Sequence, residues 1–313
     1  MTDTYLVTGG MGCIGAWTLY HLREQGKQAV GFDLSEERQR LDLLMTPEQQ
    51  AEITFVKGDL TDFKQVKAVF EQYGITHVIH LAALQVPSCR ANPVLGAQVN
   101  VTGTVNIFEA AKQQGLKHLA YASSIAVYGA VSNYPPGLIA HDAAKLPTTL
   151  YGVYKVANES TAGIYWQDYQ ISSTALRPYT VYGLGRDFGL TSDPTKAMLA
   201  AARGEDYHIN FSGKMQFHFA SDVAQQFIAA ADQPHDSAVV FNMGTPPVAV
   251  TDVANLIMEI KPGVKVTLAE TLLPFPEGFD DTELRRHFGT KVYETPLEAG
   301  IRATIAGFEH VQQ

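Results

Sequence analysis

The sequence predicts an α/β fold, a doubly wound parallel sheet with a smaller C-terminal substrate-binding lobe, on three observations. Short apolar, partly β-branched runs alternate with segments of helical spacing through the first half of the chain. The stretches between the runs are long enough to hold a helix, as the crossover between parallel strands requires. After Gly183 the alternation becomes less regular.

In chain order, residues 5–8, 29–33, 53–57, 77–82 and 118–123 read as buried strands, and 14–25, 62–73 and 93–114 as helices. Residues 36–45 carry a weaker helical pattern. Residues 151–169 read as a long helix and 172–177 as a further strand. A Gly/Asp/Thr/Pro-rich stretch, 183–194, leads to shorter elements at 195–203, 207–211, 221–231, 238–242, 251–260 and 265–269. Residues 1–183 are therefore expected to form the main sheet domain, with additions from about 220–260, and residues 184–313 mainly the lobe.

Composition narrows the function. A net charge of −9 without a concentrated Lys/Arg face argues against a nucleic-acid surface. Cys13 and Cys89 are the only cysteines and show no metal-ligand spacing, so no metal site and a reduced, cytoplasmic setting are expected. Residues 5–22 lack Asp, Glu, Lys and Arg, but Gly9, Gly10, Gly12 and Gly15 break that run, which fits strand-turn-helix better than a membrane span. No signal peptide is read at the N-terminus.

Gly9, Gly12 and Gly15 follow a strand and open a helix at GxxGxxG spacing. Side chains at Gly9 or Gly12 would obstruct the turn or an approaching pyrophosphate, and Gly15 lets the helix pack close to the sheet. The helix start then offers free N–H groups to phosphate. Asp33 ends the second strand about twenty residues on, where a carboxylate accepts ribose hydroxyls and repels a 2′-phosphate. NAD is thus expected over NADP, in a Rossmann-type arrangement.

Tyr151 and Lys155 stand at i and i+4, on one helix face. A phenol with a pKa of about 10 is a poor base at neutral pH. A neighbouring ammonium stabilises its phenolate and lets it exchange a proton as hydride moves. Ser123 and Ser124 end a strand at the carboxyl edge of the sheet, where ligands bind, and Ser124 is placed to hold a substrate oxygen.

With these motifs in hand, the chain resembles the extended short-chain dehydrogenase/reductases of the NAD-dependent epimerase/dehydratase group. Residues 8–15 resemble the TGGxGxIG loop, Gly58-Asp59-Leu60 the GDL, and His80-Leu81-Ala82-Ala83 the HLAA segment. Asn100 to Thr104 matches NVxGT, 123–129 SSxxVYG, 151–155 YxxxK and 177–183 RPxxVYG. The resemblance implies Tyr151 as acid/base, Lys155 as its partner and Ser124 as the substrate-orienting hydroxyl. It implies cofactor contacts at Gly9, Gly12, Cys13, Ile14, Asp33, Asp59, Leu60, Leu81, Ala82, Ala83, Asn100, Ser123, Tyr151, Lys155, Pro178 and Val181. It further implies a homodimer built on the helices at 93–114 and 151–169.

Three departures bear on the substrate. Thr180 stands where nucleotide-sugar members often carry Asn. Their usual Arg ahead of Phe217 is replaced near Met215 or Gln216. The basic candidates for holding a diphosphate, Arg186, Lys196, Arg203 and Lys214, share no persuasive spacing. Gln85, Ser124, Thr180 and Arg186 are the expected substrate contacts. His208 and His218 read as structural, and Glu109 and Glu159 as facing solvent or a partner subunit. Three functions follow: a dehydrogenase acting on a sugar, sugar acid or nucleotide sugar, a nucleotide-sugar 4-epimerase or dehydratase that keeps its NAD, and a non-catalytic NAD sensor. Retention of the Tyr–Lys pair argues against the third.

Overall fold

The computed structural model describes residues 3–311. Seven strands form the main sheet: β1 (Thr4–Thr8), β2 (Gln28–Asp33), β3 (Thr54–Lys57), β4 (His77–His80), β5 (His118–Ala122), β6 (Ser172–Arg177) and β7 (Ala238–Asn242). Their order is β7-β6-β5-β4-β1-β2-β3, and every pairing is parallel. β1 and β6 are buried along their whole length, as strands covered on both faces must be.

Helices cover both faces. On one side α1 (Cys13–Glu24) inserts Ala16, Leu19 and Leu22 against Val7, Ile79, Ala120 and Leu176, and α5 (Ala220–Asp232) adds Val223 and Phe227. On the other side lie α2 (Phe63–Tyr73), α3 (Gly103–Gln114) and α4 (Leu150–Tyr169). They bury Val66, Phe70, Ile107, Phe108, Ala162 and Tyr165 against Leu6, Val78, Leu119 and Ala175. The strand order reverses between β1 and β4, so their carboxyl ends open the crevice where ligands of this fold bind.

Helices Asp193–Ala202, Val250–Ile260 and Leu297–Val311 enclose a separate core that includes Met198, Ile209, Phe211, Val253, Ile257, Phe279, Ile301 and Ile305. Three short strand pairs brace it. β7 and α5 come from the C-terminal half of the chain but belong to the main sheet layer. The outermost limits of the two ranges drawn from sequence, residues 1–2 and 312–313, lie outside the described residues. Among the described residues no helix is long and apolar enough to cross a membrane.

Four expectations need correction. The helix expected at 93–114 is Pro93–Ala97, a π-helical turn Gln98–Thr102, and α3. The widened turn directs Asn100 inward, a common use of a π-bulge. The segment 36–45 keeps only one helical turn, Gln39–Asp42. Strand β4 stops at His80, because residues 81–83 leave the sheet to line the crevice.

Glu159, expected at the surface, is buried. It accepts two bonds of 2.7 Å from Arg177, one of 2.5 Å from Ser123 and one of 2.8 Å from Lys145. Burial alone would raise its pKa, but the Arg177 hydrogen bonds and charge hold the carboxyl below its usual value. Removing one partner of such a pair strands the other charge, so Glu159→Gln should destabilise the fold by about 3–5 kcal/mol in urea titration. A carboxyl whose pKa is depressed by folding stabilises above the unfolded value and less as pH falls through the folded value. The gap between wild type and Glu159→Gln should therefore narrow towards acid pH.

Candidate active site

The crevice begins with the turn after β1. Gly9 adopts φ +73°, and a Cβ there would lie 2.8 Å from the Ala82 backbone. A Cβ at Gly15 would fall 2.0 Å from the Gly9 carbonyl oxygen. Backbone bonds Gly12 N to Gly9 O and Gly9 N to Phe32 O close the turn at 2.9 Å each. α1 then starts with no side-chain cap and no acidic residue in its first turn, so its free N–H groups remain available to an anion.

The facing wall is held by a polar relay. The Leu81 and Ala82 N–H groups donate to Thr8 Oγ1, which also pairs with His80 Nδ1 at 2.7 Å. Burial pushes His80 down to about 3, so it is neutral and structural. Asn100 is 1% exposed, and its side-chain amide clamps Leu84 N and O at 2.7 and 2.8 Å. It does not line the groove, which corrects its expected cofactor contact: Asn100 positions the residues that do. The groove itself encloses about 360 Å³ and is lined by Gly9, Gly12, Cys13, Ile14, Asp33, Asp59, Leu60, Leu81, Ala82 and Ala83, among others. The Asp33 carboxylate accepts from Met11 N and Ser35 N at 3.0 Å each, and the Asp59 carboxylate from Thr61.

A second cavity of about 180 Å³ adjoins this groove. The structure brings Ser123, Ser124, Tyr151, Lys155, Pro178 and Val181 to it together with Gln85 and Arg186. Thr149 caps α4 by accepting from Gly152 N at 3.1 Å. The next contact sets the geometry. A Cβ on Gly152 would lie 2.1 Å from the Ala126 carbonyl, so α4 abuts the turn that follows Ser124. That approach places Tyr151 and Ser124 on the same cavity wall, with the Ser124 hydroxyl accepting from Ala126 N at 3.2 Å. Gly152 was not singled out from sequence; its proximity to Tyr151 in YGxxK was the available signal.

Burial dominates the electrostatics. It pushes the Tyr151 phenol up to about 12, opposed by the Ser124 hydrogen bond and the Arg186 charge. It pushes Lys155 down to about 8, opposed by Cys89 and Glu159. The Lys155 ammonium donates to Ala122 O at 2.6 Å and lies 5.6 Å from the Tyr151 ring centre. Arg186 is also depressed by burial; its nearest acceptors are Gln85 Oε1 at 3.4 Å and Thr191 Oγ1 at 3.5 Å, and its Nε has no partner. Thr191 and Phe275, not foreseen from sequence, also line the cavity.

Other expected residues lie elsewhere. Thr180 is fully buried with its hydroxyl on Met215 Sδ at 3.1 Å, so it faces the lobe core rather than the cavity. Lys196 and Arg203 border a different cavity, and Lys214 is exposed on a short strand. Gln216, beside the expected Arg position, binds Thr245 O, Phe279 O and Phe279 N, which sews residues 245 and 279 together. His218 is buried and pushed down to about 4, whereas His208 is exposed and paired with Thr267. Both thiols are raised by burial, Cys13 to about 11, so neither is poised as a thiolate. Among the described residues, no group of three His, Cys, Asp or Glu side chains is placed to hold a metal ion.

A glycine turn at a helix start, an acidic strand end and a Ser–Tyr–Lys set on one cavity wall are the features of an oxidoreductase of the extended short-chain dehydrogenase type. The chain belongs to the NAD dependent epimerase/dehydratase family, whose model matches residues 5–244. It is 35% identical over 259 residues to an uncharacterized 37.6 kDa protein in the cld 5′ region of Escherichia coli O111:H-, covering 79% of this chain and 75% of that one. It is 29% identical to UDP-glucuronate 4-epimerase 2 of Arabidopsis thaliana, covering 96% of this chain and 74% of that one. Among solved structures, MoeE5 in complex with UDP-glucuronic acid and NAD superposes with a TM-score of 0.80 at 26% identity, covering 98% of this chain and 99% of that one.

Two outcomes follow. Tyr151→Phe should reduce turnover by about 10²–10⁴-fold while nucleotide binding, read by NADH fluorescence, persists. Arg186 lowers the Tyr151 phenol, so Arg186→Met should move the rising limb of the oxidation rate to higher pH. A limb at unchanged pH would remove that electrostatic link.

Proposed function

We propose that this protein transfers hydride between NAD and a secondary carbinol of a carboxylate-bearing sugar derivative, with Tyr151 as the proton donor and acceptor. The carrying observation is Arg186, a half-buried guanidinium whose inaccessible Nε has no partner, on the wall shared by the cofactor groove and the Ser124–Tyr151 cavity. A partly buried cation without a counter-ion is costly, and a planar carboxylate matches its fork. Bound NAD supplies the hydride acceptor. Ser124 orients the substrate hydroxyl, Tyr151 takes its proton, and the Lys155 and Arg186 charges favour the phenolate.

A free sugar acid fits better than a nucleotide sugar in one respect. The Gln216 amide, near the position of the family's diphosphate-binding Arg, is fully engaged by Thr245 and Phe279. The second reading, a nucleotide-sugar 4-epimerase that keeps its NAD, is favoured by the similarity to relatives such as the Arabidopsis UDP-glucuronate 4-epimerase. A homodimer belongs to the same proposal. Val94, Leu95, Val153 and Ile164, on the helices at 93–97 and α4, are 68%, 42%, 46% and 52% exposed and would be covered by a second copy. A cytoplasmic enzyme completes it.

Incubation with NAD and a panel of free uronic and aldonic acids should produce NADH, with Arg186→Met raising KM most for the carboxylated members. Conversion of UDP-glucuronic acid without net NADH would establish the second reading instead. Light scattering should give twice the chain mass for wild type and less for Val153→Glu/Ile164→Glu.

A further inference from the structure

We propose that Arg40 and Asp187 form a clasp across the mouth of the cofactor groove that governs how fast the nucleotide leaves. The inference rests on the NAD reading above and concerns whether reduced cofactor is released or kept for return of the hydride.

Arg40 sits on the single helical turn after β2, and its side chain takes part in two contacts on opposite sides. Its Nη1 donates to the Met11 carbonyl at 2.9 Å, inside the glycine turn. Its fork grips the Asp187 carboxylate, with Nη2 at 2.7 Å from Oδ1 and Nε at 3.1 Å from Oδ2. The two residues are 147 positions apart. Met11 N in turn donates to Asp33, so one polar chain runs from the ribose-side carboxylate over the phosphate turn to the 183–190 loop. That loop carries Arg186 into the cavity wall beside Tyr151.

The loop has the backbone of a hinged strap. Gly183, Gly185 and Gly189 take φ of +128°, +83° and +114°, which other residues rarely adopt. Trp17 Nε1 pins the Leu184 carbonyl at 3.0 Å, while Gly185 packs against the aliphatic stem of Arg40. Beyond the pinned Leu184, residues 185–189 are held by the Asp187 pair, by Arg186 on Gln85 and Thr191, and by Ser192 N on Gly189 O at 3.2 Å, and of these only the Asp187 pair reaches the glycine-turn side of the groove. The pair is 31% and 56% exposed, so water and salt reach it. Asp187 itself does not line the cofactor groove, whereas Arg40 and Arg186 do.

The test preloads the full-length enzyme with NADH and follows fluorescence as excess NAD displaces it in a stopped-flow mixer. Asp187→Asn is expected to speed release by roughly three- to tenfold, the range of an exposed but bidentate ion pair. Rising NaCl should accelerate wild type and leave Asp187→Asn nearly unchanged. The charge swap Arg40→Asp/Asp187→Arg should recover part of the slow release, which a merely structural role would not, and thermal melts should confirm that the variants fold. Equal release from wild type and folded Asp187→Asn at every salt concentration would overturn the clasp. Failure of wild type to bind NADH would overturn the cofactor reading instead.

Discussion

The site depends on one buried carboxylate. Glu159 lies four residues after Lys155 on α4 and ties that helix to the ends of two paired strands and to the loop before it. Arg177 reaches it from the end of β6, Ser123 from the end of β5 and Lys145 from the loop before α4. Arg177 also donates to the Tyr128 hydroxyl and to Asn242 on β7. An ion pair this deep gives little net stability against an apolar equivalent, because both charges lose their hydration. Its value is directional: a bidentate fork accepts one geometry, and that geometry orients the helix carrying Tyr151 and Lys155 against the strand end carrying Ser124.

The chemistry of the cavity follows from the same burial. Removing water raises the phenol, lowers the ammonium and lowers the guanidinium, so every charged form needed for proton transfer is penalised in the free protein. Such a site is completed by what enters it. An anionic substrate beside Arg186 relieves the guanidinium's lack of a counter-ion, and exclusion of bulk water strengthens each remaining interaction. Close approaches at Gly9, Gly15 and Gly152 are part of the same economy of space, since a single methyl group at any of them would collide with a backbone atom.

Much of the fold was legible because its signals are local. Alternating apolar runs and crossover lengths are read along the chain, and the strands found lie within a few residues of the expected ones. The glycine turn was legible for a similar reason: strand, turn and helix start are contiguous, so the steric need at Gly9 and Gly15 sits within eight residues of Thr8. Tyr151 and Lys155 are one helical turn apart. Glu159 was misjudged because helical position alone does not reveal which face is covered, and Arg177 is its partner only once β6 lies beside α4. Asn100 and Thr180 were read as ligand contacts from motif position, yet a π-turn rotates one onto Leu84 and a short strand turns the other towards Met215. The helix Leu297–Val311 went unread although Ile301, Ile305 and Phe308 carry its period.

By itself, then, the sequence determined the class of fold, the phosphate turn, the acidic strand end and the Ser–Tyr–Lys set, because each depends on spacing within one or two adjacent elements. Tertiary structure alone decided which buried charges meet, that Gln216 is consumed in joining two loops, that Arg186 stands between groove and cavity with no carboxylate on its fork, and that Asp187 reaches Arg40. These depend on contacts between residues tens to more than a hundred positions apart, and no local pattern encodes a long-range partner. The physical reason is the same throughout: backbone preference is set by near neighbours, whereas desolvation and charge pairing are set by whatever the folded chain places alongside.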